Sequence, residues 1–370
     1  MAHAKRRSRR ADLIDATYHR RGSLQGPSER VLGALALALT ALALVAPSAL
    51  ASTESLLIAG AGDGHGVGMS QEGALGYAEH GASYEQILAH YYTGTTLGQA
   101  PAGRTVKVLV GSRVKTLPLE TYVRGVVAAE MPSSWPLAAL ETQAVASRTY
   151  ALTSDAGGQK FDVYADTRSQ MYEGPAAETA SSNAAIADTA GQIVTYEGKP
   201  VTTYFFASSG GMTDSVQNSF LGASPEPWLI GVADPYDQGP LHTWKVALSF
   251  ATATSRLRGV LKGSFRGIEV LKRGVSPRIV SAYVIGSRGR TLISGPELAA
   301  RLGLDSTWEY FSVISGTSVK REPEGSGRAP SPPATAPAPS PPATSPQGGA
   351  QAPPAASAAS TAETGGVSAE

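Results

Sequence analysis

Glycine occupies every second position from residue 60 to residue 68, in the run Gly60-Ala-Gly-Asp-Gly-His-Gly-Val-Gly68. A period of two is the side-chain period of an extended chain, so the spacing predicts a strand with one face of bare backbone. Asp63, His65, Val67 and Met69 then line the opposite face. Bare backbone admits close approach by another strand or by a flat ligand such as a sugar ring. The spacing is neither a P-loop nor a dinucleotide fingerprint, because no Gly-Lys-Ser/Thr and no G-x-G-x-x-G follows.

The two ends of the chain differ sharply from this middle. Residues 1–30 carry a basic cluster, residues 31–46 are almost wholly apolar, and Ala49-Leu50-Ala51 makes a small-x-small pattern. That order predicts a secretory signal peptide over 1–51 and hence an exported, extracellular or wall-associated protein. If the segment is not cleaved it is a membrane anchor, although the apolar run is shorter than the roughly 20 residues that span a bilayer. Without residues 1–51 the chain holds 23 basic and 27 acidic residues. This mildly acidic balance, free of basic runs, excludes a nucleic-acid partner. There is no cysteine, so an exported domain over 52–322 must rest on its own core and cannot use thiol chemistry or cysteine-bound zinc. Residues 323–370 are dominated by Pro, Ala, Ser, Thr, Gly and Gln, a composition with too little apolar surface to fold, and read as a disordered tail.

Between these ends the pattern is α+β, without the strand–helix alternation of a doubly wound sheet. Ser70 is placed to cap one short helix ending near Gly81, and Ser83 with Gln86 forms a capping box for a second, closed by Gly94. Residues 106–110 read as a strand. Leu119, Tyr122, Val123, Val126 and Val127 share one helical face, and Pro132 should stop that helix near Met131. A second helix follows, capped by Ser133 or Ser134, with Pro136 in its first turn, running to about Leu152. Residues 194–196 and 201–206 flank a Glu197-Gly198-Lys199 turn and predict a hairpin. Segments 244–249, 268–272, 279–285 and 290–293 read as strands and 295–302 as a short helix.

Glu130 falls in the middle of the apolar stripe of the first long helix and at its C-terminal end. Desolvation and the negative end of the helix dipole both disfavour its anion, which is what an acid that protonates a glycosidic oxygen requires. The competing reading is a structural Glu paired with Arg148 or Arg124. His65 fits either an orienting group for a substrate or a structural hydrogen-bonder. Ser208 and Ser209 suggest a serine nucleophile with His65 or His242 as base, but no G-x-S-x-G elbow surrounds them, and a polar turn is the simpler reading. No H-E-x-x-H or other pattern points to a metal, and no cofactor is expected.

Several of these stretches together resemble the SpoIID/LytB family of peptidoglycan lytic transglycosylases and amidase enhancers. They are Gly-His-Gly-Val-Gly-Met-Ser-Gln at 64–71 with its helices to Gly94-Thr95, the run 119–132 ending in Ala-Glu-Met-Pro and continuing to Tyr150, the stretch 166–174, and 204–213 with its Ser-Ser-Gly-Gly. The resemblance covers most of 57–314 and implies a mixed α+β domain, a strand-rich part and a helical part built around the Glu130 helix pair. It implies cleavage of the β-1,4 bond between N-acetylmuramic acid and N-acetylglucosamine without water. The muramic C6 hydroxyl attacks its own anomeric carbon and leaves a 1,6-anhydro end. Glu130 would be the single acid/base, with His65, Gln71, Gln143, Arg148, Asp166, Ser208, Ser209 and Gly210 along the substrate. The implied partners are peptidoglycan glycan strands and an N-acetylmuramoyl-L-alanine amidase. The alternative within the resemblance is a non-catalytic wall-binding enhancer of such an amidase. Two departures stand out. The glycine-rich block comes first here rather than last, which predicts that the strand near 312–314 lies beside 57–60. The stretch 110–117, usually long and strand-rich in the family, holds almost nothing.

Overall fold

A computed structural model describes residues 54–314. The predicted signal segment 1–51 and the Pro/Ala/Ser-rich segment 323–370 lie outside the described residues.

The chain enters on β1 (Ser55–Ala61), whose alternate residues Leu56 and Ile58 are fully buried. It passes through the glycine-rich turn-rich stretch to β2 (Met69–Ser70), α1 (Gln71–Glu79) and α2 (Tyr84–Tyr91). Ser70 caps α1 by accepting from the Gly73 N–H, and Ser83 with Gln86 closes the expected capping box on α2. Strands β3 (Thr96–Gln99), β4 (Thr105–Val110) and β5 (Arg113–Pro118) lead to α3 (Leu119–Glu130). The 110–117 stretch thus holds a strand that sequence reading missed. β5 pairs with β4 through a two-residue turn at Gly111-Ser112 and is mostly exposed, so no hydrophobic alternation marked it.

α3 ends one residue before Met131, as Pro132 requires. It buries Leu119, Tyr122, Val123, Val126 and Val127 on one face, each worth roughly 1.5–3 kcal/mol over leaving it exposed. α4 (Leu137–Thr153) follows. Its N-cap is Pro136 rather than Ser133 or Ser134, and no side chain caps it; the Pro136 carbonyl accepts from the Ala139 and Leu140 N–H groups. α4 is buried nearly all round, which is why it shows no single polar face.

Strand β6 (Val163–Tyr164) and α5 (Ala180–Asp188) precede the hairpin of β7 (Gln192–Tyr196) and β8 (Lys199–Pro200). Glu197 and Gly198 at the turn both have positive φ, the requirement of a tight two-residue hairpin. The second arm is shorter than the pattern 201–206 suggested. The chain leaves β7 after Pro200, and β9 (Phe205–Phe206) pairs in parallel with β2 instead. After a short α6 (Val216–Ser219) come β10 (Thr243–Ser249), α7 (Phe250–Arg256), β11 (Phe265–Arg273), β12 (Ile279–Gly286), β13 (Gly289–Ser294), α8 (Gly295–Leu302) and β14 (Glu309–Ile314).

The fold is α+β. Among the described residues one apolar core gathers α1 to α5 with β4 and β7. A second gathers β1, β10, α7, β11, β12, β13 and α8. β1 is the centre of the sheet β10-β1-β14, with Leu57 opposite Ser312 and Gly60 opposite Glu309. The expected meeting of the two ends of the domain is therefore present.

The glycine alternation is not a strand beyond Ala61. Gly62, Gly64, Gly66 and Gly68 all take positive φ, between 76° and 103°, so every second residue bends the chain in a way that L side chains rarely adopt. The space left by the missing side chains is filled from within the protein. The Trp244 indole lies on Gly60, the Arg278 guanidinium on Gly66 and the Tyr204 carbonyl on Gly68, each closer than a Cβ would allow.

Candidate functional site

The last turn of α3 delivers Glu130 to a cleft of about 350 Å³. Its walls come from five places. Asp63, Gly64 and His65 belong to the glycine-rich segment, and Gln71 and Glu72 to the first turn of α1. Pro132 and Trp135 lie in the connection between α3 and α4, Thr167, Ser169 and Met171 in the loop after β6, and Phe205, Phe206 and Ala207 in and beyond β9.

The Glu130 carboxyl is half-buried and fixed from two sides. The Met171 N–H donates to Oε1 at 2.5 Å and the Gln71 amide donates to Oε2 at 3.2 Å. The first contact depends on a glycine. At Gly125, in the middle of α3, an added Cβ would lie 2.5 Å from the Tyr172 ring and 2.9 Å from Gly174. Its absence lets the 171–174 loop lie against the helix, where the Glu173 N–H bonds the Gly125 carbonyl. Behind Gln71 stands Gln143, fully buried, whose carbonyl oxygen is 3.4 Å from the same Gln71 amide and whose own amide donates to Ser147 at 2.9 Å. Gln143 thus sets the Gln71 side chain rather than lining the cleft.

His65 Nδ1 accepts from the Val67 N–H at 3.1 Å, and the Phe205 backbone lies beside the ring. Although an edge opens on the cleft, Tyr204, Phe206 and Phe220 surround the ring at 5.1–6.0 Å. Burial, and then the Arg278 charge, push its pKa down to about 4. The imidazole is therefore a neutral, packed piece of wall. Glu72 carries a different perturbation, its pKa pushed up to about 7 by partial burial and then by the Asp237 and Glu79 charges.

Residues 111–196, which include α3, Glu130 and most of the walls contributed by the helical part, match the family described as stage II sporulation protein, SpoIID. The chain is 29% identical over 270 residues to the stage II sporulation protein D of Bacillus amyloliquefaciens, covering 65% of this chain and 76% of that one. Over that stretch the chain is similar to the SpoIID family. It is also 40% identical over 140 residues to an uncharacterized protein of Brachyspira hyodysenteriae, covering 37% of this chain and 38% of that relative. A third relative is the amidase enhancer of Bacillus subtilis, 33% identical over 127 residues, 34% of this chain and 17% of the enhancer. The chain thus spans well under half the length of the last two.

Of the residues that the SpoIID resemblance set along the substrate, the cleft brings together Glu130, Gln71 and His65. The others stand elsewhere. Arg148 is fully buried and makes a two-pronged pair with Glu120, 2.8 Å on each prong, and a third bond to the Gln192 carbonyl at 3.0 Å. Its carboxylate partner is Glu120, not Glu130. Asp166 is half-exposed and turned to Arg168 at 2.7 Å, whose guanidinium holds its carboxyl down to about 2; the neighbours Thr167 and Ser169 line the cleft instead.

Ser208, Ser209 and Gly210 are buried one layer behind. The Ser208 hydroxyl and the Ser209 N–H both donate to Asp237, which also receives the hydroxyl of Ser70, the cap of α1. Gly210 has positive φ and packs on Ala61 and Gly62. This cluster fixes the start of α1, and through it Gln71 and Glu72. It is not a nucleophilic triad. His242 Nδ1 lies 3.6 Å from Asp237, so the carboxylate sits between serine and histidine, where a base would have to be. Sequence reading missed Glu72 and Trp135. Glu72 directly follows the quoted glycine-rich block, and Trp135 sits three residues past the Pro132 that ends α3.

Proposed function

We propose that this protein is an exported cell-wall protein that cleaves peptidoglycan glycan strands as a lytic transglycosylase, with Glu130 as acid and base. The observation that carries the reading is the Glu130 carboxyl itself, held by Met171 and Gln71 on the wall of an open cleft beside Trp135. Trp135, Phe205 and Phe206 offer apolar faces of the kind that sugar rings pack on. Glu130 protonates the departing oxygen, the muramic C6 hydroxyl closes on the anomeric carbon, and the Glu130 anion takes the hydroxyl proton. A single carboxyl then suffices because no water enters. Export rests on the basic, apolar and small-residue order of 1–51.

The alternative is a wall-binding protein that stimulates an N-acetylmuramoyl-L-alanine amidase, favoured by the stretch 33% identical to an amidase enhancer. The test is to incubate peptide-free and intact glycan strands with the protein and with Glu130→Gln, and to count new chain ends by mass spectrometry. The enzyme reading expects new ends from the wild type alone. Glycan binding and amidase stimulation by both forms, with no new ends, would support the enhancer instead.

A further inference from the structure

We propose that the outer face of the sheet β11-β12-β13 is a docking surface for a membrane of anionic lipid. The inference is independent of the cleft and of its chemistry.

Charge is spread unevenly along this chain. Residues 250–304 hold ten Lys or Arg against two Asp or Glu, whereas the rest of the chain beyond residue 51 holds 13 against 25. Both acids of the basic stretch are already paired, Glu269 with Arg290 at 3.6 Å and Glu297 with Arg301 at 2.8 Å. Lys262, Arg266 and Arg288 are exposed and, among the described residues, make no ion pair. Two of them are held side by side. The Arg288 N–H donates to the Lys262 carbonyl at 3.0 Å and the Ser287 N–H to the Ser264 carbonyl at 2.8 Å, which ties the β12–β13 turn to the loop before β11. Gly286 permits that approach, since an added Cβ would meet the Lys262 carbonyl. Unpaired like charges fixed this closely sum to a positive patch that an anionic surface relieves.

The same elements carry an uncovered apolar face. α7 and α8 close the inner face of the sheet, where Ala282, Val284 and Ile293 are buried. On the outer face the register sets Leu292 opposite Tyr283 and Arg290 opposite Ile285, and Leu271 stands in the bulge of β11. Leu292 is 60% exposed and Leu271 45%. The open side of an antiparallel sheet ordinarily carries polar residues. Aliphatic side chains rimmed by cations suit a lipid interface, where the apolar groups enter the acyl boundary and the cations meet lipid phosphates. Two other occupants fit less well. A sugar strand packs on aromatic rings, and the Tyr283 ring is already covered by the Arg290 guanidinium at 4.1 Å. A soluble polyanion would engage the cations and leave both leucines in water.

The chain has no cysteine, so one introduced thiol reports on one position. In the full chain, Leu292→Cys carries a polarity-sensitive fluorophore, and Val114→Cys, 45% exposed on β5, is the control. Vesicles of equal parts phosphatidylcholine and phosphatidylglycerol are compared with vesicles of phosphatidylcholine alone. The label at position 292 should shift to the blue with the anionic vesicles only, and the label at position 114 should not move. Replacing Lys262, Arg266 and Arg288 together by Gln should weaken the binding read at position 292 about 10²-fold, at roughly fivefold for each cation near an anionic surface, with Tm unchanged. Vesicle binding through residues 1–51 alone would leave the label at position 292 unmoved. That result, an equal shift on neutral lipid, or full binding by the triple variant overturns the inference. A shift caused by peptide-free glycan strands and not by vesicles overturns it too, and assigns the face to glycan.

Discussion

Replacing Arg148 by methionine separates a scaffold role from a substrate role. Arg148 is completely buried in the middle of α4 and ties three elements together, through Glu120 at the start of α3 and the Gln192 carbonyl at the start of β7. Methionine fills much of the same space with an apolar chain but removes all three hydrogen bonds. Hydrogen bonds to charged groups contribute about 1.5–3 kcal/mol each, so the three bonds set a ceiling of ~9 kcal/mol. Two effects reduce it. The Glu120 side chain is 37% exposed and can take up water, and methionine avoids the cost of burying a cation. The expected net loss is about 3 kcal/mol, or roughly 6–12 °C in Tm for a domain of this size. Urea unfolding followed by tryptophan fluorescence measures it, and a glycan-binding isotherm under native conditions completes the test. The folded variant should bind glycan as the wild type does. A variant within about 0.5 kcal/mol of wild-type stability that binds glycan tenfold more weakly would refute this account and make Arg148 a substrate contact.

Further outcomes follow from other buried groups. Glu309 on β14 is buried with neither carboxyl oxygen hydrogen-bonded, and its pKa is pushed up to about 8 by burial, only partly offset by Arg273. The folded state therefore keeps a proton that the unfolded chain releases above its ordinary carboxyl range, and this contribution to stability is lost as pH rises from about 4.5 through 8. Glu309→Gln should flatten that part of the pH–stability curve and be more stable than the wild type, relative to pH 5, at pH 8; parallel curves in urea would contradict it. Gly66→Ala meets both a positive φ of 83° and the Arg278 guanidinium, so it should cost about 2–4 kcal/mol in urea unfolding, and a loss below about 0.5 kcal/mol would show that the segment can move aside.

What the sequence made legible was local. The Ser70 cap, the Ser83–Gln86 box, the end of α3 before Pro132 and the α8 helix all rest on contacts within a few residues. The pairing of β14 with β1 was readable only through the resemblance, which sets last in the domain the glycine-rich block that comes first here. What stayed hidden depends on partners far along the chain. The same period-two glycine pattern serves an extended strand and a chain bent left-handed at every second residue, and only the approach of Trp244 and Arg278 distinguishes them. A helical wheel put Glu130 and Arg148 both on apolar faces but could not assign Arg148 to Glu120. Ser208 and Ser209 read as a polar loop because the Asp237 that buries them lies in a separate segment. Glu72 looks like an ordinary acidic residue in a helix's first turn until Gly239 and Asp237 close around it.

The central claim is that Glu130 drives an intramolecular cut without water. Digestion of peptide-free glycan strands in water labelled with heavy oxygen, followed by mass spectrometry of the new ends, tests it most directly. The account predicts 1,6-anhydro ends free of label from the wild type and no new ends from Glu130→Gln. Labelled reducing ends, one heavy oxygen per cut, or undiminished cutting by Glu130→Gln, would contradict it.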